Sequence, residues 1–99
     1  MNAISTGDAA AKPGQYVRVV GLRMMWRSRK LKTGTPFYFM TLEDLDGYID
    51  VLISDDVHKR HHIEIFQDYP LLIEGFVETD KMSGVPYIRA NKIKAIISN

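Results

Sequence analysis

Between residues 55 and 68 the chain abandons the two-residue period that governs most of its length. The segment DDVHKRHHIEIFQD puts Val57, His61 and Ile65 on one helical face, with Asp55 or Asp56 as the N-cap, and Pro70 blocks any continuation. The flanking segments read as strands. Gln15 to Arg27 is β-branched and aromatic, with a bend or bulge expected at Gly21. Ser28 to Thr35 (SRKLKTGT) is a basic loop, and Pro36 to Asp44 a second strand whose proline sits where no ladder donor is needed. Asp46-Gly47 is a two-residue hairpin signal leading into a third strand, Tyr48 to Ser54. After the helix come a fourth strand, Leu71 to Thr79, a turn from Asp80 to Gly84, and a fifth strand, Val85 to Ile97.

Three strands, one short helix and two strands form a small set of options. A sandwich needs more strands, and an SH3-like barrel lacks the helix. The order predicts an all-β fold with one short helix, a five-stranded Greek-key OB barrel plugged by that helix. A chain of 99 residues makes one domain. Residues 15–99 are assigned to the barrel. Residues 1–14, rich in Ala, Ser, Thr and Gly and ending in Pro13-Gly14, read as a flexible leader or linker.

Composition removes several functions. With no cysteine there is no disulfide and no thiolate metal centre. The first twelve residues lack the apolar stretch of a signal peptide, and no apolar run reaches membrane-spanning length, so a cytoplasmic location without membrane partners is expected. The net charge of +1 conceals an uneven distribution. Residues 1–42 hold seven basic side chains and one acidic, residues 43–80 eleven acidic and two basic, and residues 81–99 four basic and no acid. A polyanionic partner is expected wherever the fold gathers the basic ends on one surface.

Strand parity sorts the side chains. In the third strand Ile49, Val51 and Ile53 form the core side, and Met40 and Leu42 pack with them across the hairpin. That leaves Phe37, Phe39 and Thr41 on the outer side of the second strand, with Tyr48 and Asp50 on the outer side of the third. The strand 1–2 and 4–5 loops flank this face in an OB barrel, and they carry Arg29, Lys30, Lys32 and Lys81, with Arg23 and Arg27 on the first strand nearby. Outward aromatics beside a cationic loop suit single-stranded nucleic acid: rings stack on bases, and Arg and Lys meet phosphates. Trp26 is either a stacking platform or a cap on the core. Asp50 repels phosphate; it can accept from a cytosine amino group or pair with Arg23.

The string GTPFYFMTLEDLDGYIDVL, Gly34 to Leu52, resembles the tRNA-anticodon-type OB domain, with its signature Phe-x-x-Leu-x-Asp-x-x-Gly. A fuller likeness is to the OB domain near the C-terminus of the bacterial DNA polymerase III alpha subunit, error-prone relatives included. It runs through Gly14 to Leu22, Arg29 to Gly34, Phe39 to Gly47, Leu71 to Glu78, and the closing Ala90-Asn91-Lys92-Ile93, and so spans residues 14–97. The resemblance implies that Phe39 stacks on a base. It also implies a single-stranded DNA template as ligand, with RNA as an alternative, and other domains or subunits of a replication complex as neighbours. Asp50 stands where anticodon-binding members commonly carry a base-reading glutamine, which favours sequence-tolerant binding. The polymerase's catalytic carboxylates have no counterpart here.

No catalytic constellation is found. His58, His61 and His62 lack a third ligand in a defined place and the HExxH pattern, and no metal or cofactor is expected. Asp55-Asp56 reads as a helix start. Two alternatives remain open: a protein-interaction OB module anchored by Phe37, Phe39 and Trp26, and a tRNA anticodon-binding accessory domain.

Overall fold

The computed structural model describes residues 2–97. Five strands close into a barrel in the order β1-β2-β3-β5-β4, where β1 is Tyr16–Lys30, β2 Pro36–Asp44, β3 Gly47–Ser54, β4 Leu71–Thr79 and β5 Pro86–Ala95. All neighbours are antiparallel except β3 and β5, which close the ring in parallel through Asp50↔Tyr87, Val51↔Ile88 and Leu52↔Arg89. Two helices accompany the barrel: α1, Thr6–Ala10, and α2, Asp55–Ile65. The OB barrel expected from the element order is the fold observed.

Alternation builds the interior. Val17, Val19, Met40, Leu42, Ile49, Val51, Ile53, Leu71, Ile73, Val77, Ile88 and Ile93 are all buried, and α2 adds Val57 and Ile65 over the β3 end of the barrel. Removing such aliphatic side chains from water supplies most of the stabilisation, at roughly 1.5–3 kcal/mol each.

The long first strand serves two partners. Its first half, Tyr16 to Gly21, pairs with β4; from Leu22 onward it pairs with β2. The irregularity expected at Gly21 lies further on, between Arg23 and Trp26. Gly21 has another role: a Cβ there would stand 2.6 Å from the Glu43 carbonyl oxygen, so only glycine lets β2 come this close at the crossover. The bulge inverts strand parity. Val17, Val19 and Gly21 point inward on odd numbers, but beyond the bulge Trp26 faces the interior opposite Met40, and Arg27 faces outward opposite Phe39.

Three local expectations are revised. The β2–β3 hairpin turns through Leu45 and Asp46, because Asp44 pairs with Gly47, and Gly47 takes φ +149° as the first residue of β3. Helix α2 is capped by Ser54, whose Oγ accepts from Val57 N–H at 3.3 Å, so Asp55 and Asp56 lie inside the first turn. Residues 4–10, read as part of a leader or linker, pack against the barrel end opposite α2: Thr6 and Ala9 are buried, and Ile4 N–H donates to the Arg18 carbonyl at 2.8 Å.

Asp44 holds that end together. Its carboxylate accepts from Thr6 N–H (2.9 Å), the Thr6 hydroxyl (2.8 Å), Asp46 N–H (3.0 Å) and Gly47 N–H (3.1 Å). Burial pushes the Asp44 carboxyl up, but these four donors outweigh it and leave the group below its ordinary value.

Candidate nucleic-acid interface

The outer face of β1, β2, β3 and β5 is organised as ladders of side chains directly across from one another. One ladder runs Arg27, Phe39, Leu52, Arg89; the next runs Thr41, Asp50, Tyr87. Phe37 and Phe39 lie outside the core as the parity argument requires, but they are half-buried rather than open. Phe37 meets Phe39 edge to face at 6.0 Å, and Phe39 meets Tyr87 in the same way at 6.1 Å. The result is a continuous aromatic run contributed by two strands, β2 and β5, which flank β3. The Arg27 guanidinium lies 5.8 Å from the centroid of the Phe39 ring, within cation–π range.

Tyr87 is absent from the sequence-based site, and the parallel β3–β5 closure brings it there. Its outward parity on β5, between buried Ile88 and half-buried Pro86, is the signal that could have found it. Its hydroxyl donates to Glu78 at 3.1 Å, and burial followed by this bond raises its pKa. Arg89 grips the same Glu78 carboxylate at 2.6 Å, and this contact, ahead of burial and the Tyr87 bond, leaves Glu78 below the usual carboxylate range.

Between the aromatic run and the β4–β5 turn lies a cavity of about 210 Å³ lined by Arg27, Phe39, Asp50, Tyr87 and the turn residues Asp80, Ser83 and Val85. Asp50 is not paired with Arg23. Its carboxylate faces Arg27 at 3.6 Å and accepts from the Thr41 hydroxyl at 3.2 Å, so its charge is partly offset. The Asp80 carboxylate folds back on its own turn, accepting from Ser83 and Met82 N–H, which hold it below the ordinary range.

Cations flank the face. Arg29 and Lys30 end β1 beside a shallow cavity lined also by Ser28, Pro36 and Tyr38; Lys32 lies in the loop beyond, and Lys81 in the β4–β5 turn, all four exposed. Tyr48 occupies the far, hairpin end of the same face and is 71% exposed.

Two predicted contributors lie elsewhere. Trp26, turned inward by the bulge, stacks on Tyr38 at 5.0 Å and meets Phe66 edge to face at 4.7 Å, with His58 beside both Trp26 and Tyr38. It caps the barrel under α2, which is the core-cap alternative. Arg23 reaches the C-terminal end of α2, donating to the Ile65 carbonyl at 2.9 Å and lying 5.2 Å from the Phe66 ring. Basic charge is also not gathered on one surface: Lys92 and Lys94 point outward from the later part of β5, beside Arg18 and Arg60. Among the described residues no group of three or more His, Asp or Glu could hold a metal ion, and no helix is long and apolar enough to cross a membrane.

Known proteins resemble the chain in sequence and in fold. No protein-family profile matches it. It is 28% identical over 85 residues, 86% of its length, to an error-prone DNA polymerase of Symbiobacterium thermophilum, of which it spans only 8%. Among solved structures, RecG bound to a three-way DNA junction superposes with a TM-score of 0.76 at 13% identity, over 96% of this chain and 13% of RecG. Asparaginyl-tRNA synthetase from Pyrococcus horikoshii, complexed with asparaginyl-adenylate, gives 0.69 at 15% identity, over 100% of this chain and 23% of the synthetase. A candidate nucleic acid-binding lipoprotein from Klebsiella pneumoniae gives 0.63 at 18% identity, over 92% of this chain and 77% of that one. Barrel order, helix placement and these superpositions agree: the chain is an OB-fold domain, similar in sequence to a short stretch of an error-prone DNA polymerase.

Proposed function

We propose that this domain binds single-stranded nucleic acid, with a DNA template strand as the principal ligand, and performs no chemistry of its own. The observation that carries this reading is the aromatic run Phe37–Phe39–Tyr87, half-buried on an outer face and bordered by Arg27, Arg29, Lys30, Lys32 and Lys81. A half-buried ring keeps one side for a base, and its neighbours hold it still, so little freedom is lost on stacking. Each base stacked on such a ring contributes about 1–3 kcal/mol. Arg27 lies against Phe39 and meets the phosphate side, while Thr41 and Arg27 offset the charge of Asp50.

The sequence likeness to a DNA polymerase supports DNA over RNA. Within a longer polymerase chain the domain would present the template while other domains do the chemistry.

Titrating an isotopically labelled sample with a short single-stranded DNA, at several salt concentrations, tests the reading. Shifts centred on Phe37, Phe39 and Tyr87 are expected, with log affinity falling by about 0.7 per phosphate contact for each tenfold rise in salt. DNA binding that ignores salt, or that leaves Phe37, Phe39 and Tyr87 unshifted, overturns the reading, and tight, salt-insensitive binding of a protein to the same face would support the protein-interaction alternative.

A further inference from the structure

On the arc of the barrel away from the aromatic face, a second cavity of about 390 Å³ opens between α2 and the outer side of β1, β4 and β5. In the ring order its central strand, β4, touches neither β2 nor β3. Four cations line it, Arg18, Arg60, Lys92 and Lys94, against one carboxylate, Glu74. That carboxylate is already engaged by Arg18 at 2.7 Å. Arg60 is held in place by Asp56 at 3.5 Å and by the Asn91 carbonyl at 3.4 Å. Lys92 and Lys94 stand two residues apart on β5, opposite Glu74 and Leu72, so both ammonium groups rise on the same side.

His61 also lines this cavity, and neither of its ring nitrogens, both buried, has a hydrogen-bond partner. The nearest acid, Glu64, is 3.9 Å from Nδ1, beyond hydrogen-bond reach. Its side chain is only 19% exposed, and the helix departs from regular geometry at this residue (φ −127°, ψ 15°). In either tautomer one ring nitrogen is a donor, and a buried donor without an acceptor calls for an explanation.

We propose that this cavity binds a phosphate group carried on an organic ester. The cations Arg60, Lys92 and Lys94 would hold its oxygens, above a His61 ring whose nitrogens lie beneath the cavity surface. A phosphate offers several oxygens to share among a guanidinium and two ammonium groups. The volume falls within the roughly 300–1,000 Å³ of small-ligand sites, which leaves room for a sugar beside the phosphate. The ester is either a free nucleotide or one link of a nucleic-acid backbone. The site stands apart from the Phe39 face and does not depend on it.

The test uses the whole chain, labelled for NMR, with four probes: inorganic phosphate, adenosine 5′-monophosphate, adenosine, and a single-stranded thymidine oligonucleotide. The monophosphate and the oligonucleotide should both move the His61 ring signals and the Lys92 and Lys94 signals, with inorganic phosphate moving them more weakly and adenosine leaving them still. Lys92→Ala combined with Lys94→Ala, two exposed positions whose loss spares the fold, should weaken the phosphorylated probes about tenfold at this site. A backbone source is indicated if the oligonucleotide binds here more tightly than the monophosphate, a free-nucleotide source by the reverse. No shift at His61, Lys92 and Lys94 with any phosphorylated probe overturns the proposal. So does an equal shift with adenosine, or an affinity that the double variant leaves unchanged. Signals from Phe37, Phe39 and Tyr87 report separately on the aromatic face.

Discussion

Replacing Asp44 by alanine strips four donors of one acceptor, and the structure says which losses matter. Thr6 is buried, so its N–H and hydroxyl lose their partner where water cannot readily replace it. A buried polar group left unsatisfied costs about 1–3 kcal/mol, so these two together cost about 2–6 kcal/mol. The Asp46 and Gly47 N–H groups lie on the hairpin and turn to solvent with little further loss. For a domain of this size, each kcal/mol lowers Tm by about 4–8 °C, so a fall of about 10 °C or more is expected. Urea unfolding at pH 7 measures it, with the midpoint lowered and the slope unchanged. The sign with pH follows from the depressed pKa. The stabilisation from the Asp44 carboxylate is present above its ordinary value of 3.8 and is lost as pH falls through the lower folded value. The gap between wild type and Asp44→Ala therefore narrows only below about pH 4. A gap under about 0.5 kcal/mol at pH 7, or one that widens in acid, refutes the reasoning.

Three further outcomes are expected. Gly75→Ala drives a Cβ into the Arg89 carbonyl beside the β4–β5 bulge, and it should cost about 3 kcal/mol or more in thermal unfolding, because the atoms it meets are backbone and cannot swing aside. Ser54→Ala should cost about 1 kcal/mol as loss of the α2 cap, whereas Asp56→Ala should cost only a few tenths; chemical denaturation ranks them. Arg29→Ala and Lys32→Ala should each flatten the salt dependence of oligonucleotide binding by under one unit while leaving stability intact, as fluorescence anisotropy at three salt concentrations will show.

How far the sequence carries depends on the range of each signal. The inward set Met40, Leu42, Ile49, Val51 and Ile53 is legible because strict alternation and aliphatic identity coincide over a short hairpin. From it follows the outward placement of Phe37 and Phe39. Trp26 and Arg23 are harder, because a bulge between Arg23 and Trp26 shifts parity by one residue, and no glycine or proline marks the spot. The same shift carries Arg27 onto Phe39. Tyr87 enters the site through parallel pairing with Asp50, a contact 37 residues away in sequence that no local pattern announces. Helix α1 is five residues long, and side-chain bonds to Asp44, 38 residues on from Thr6, hold it in place. Its small, polar composition therefore reads as a loose leader. The signature's aspartate and glycine thus have structural roles at the hairpin, which leaves Phe39 as its outward-facing member.

The central claim concerns the Phe39 ring, and single-stranded DNA affinity measured for wild type, Phe39→Leu and Phe39→Ala at two salt concentrations addresses it most directly. Leucine controls for packing against Phe37 and Tyr87. Both variants should lose about 1–3 kcal/mol of affinity with an unchanged salt slope, while remaining folded. Wild-type affinity in both would contradict the account.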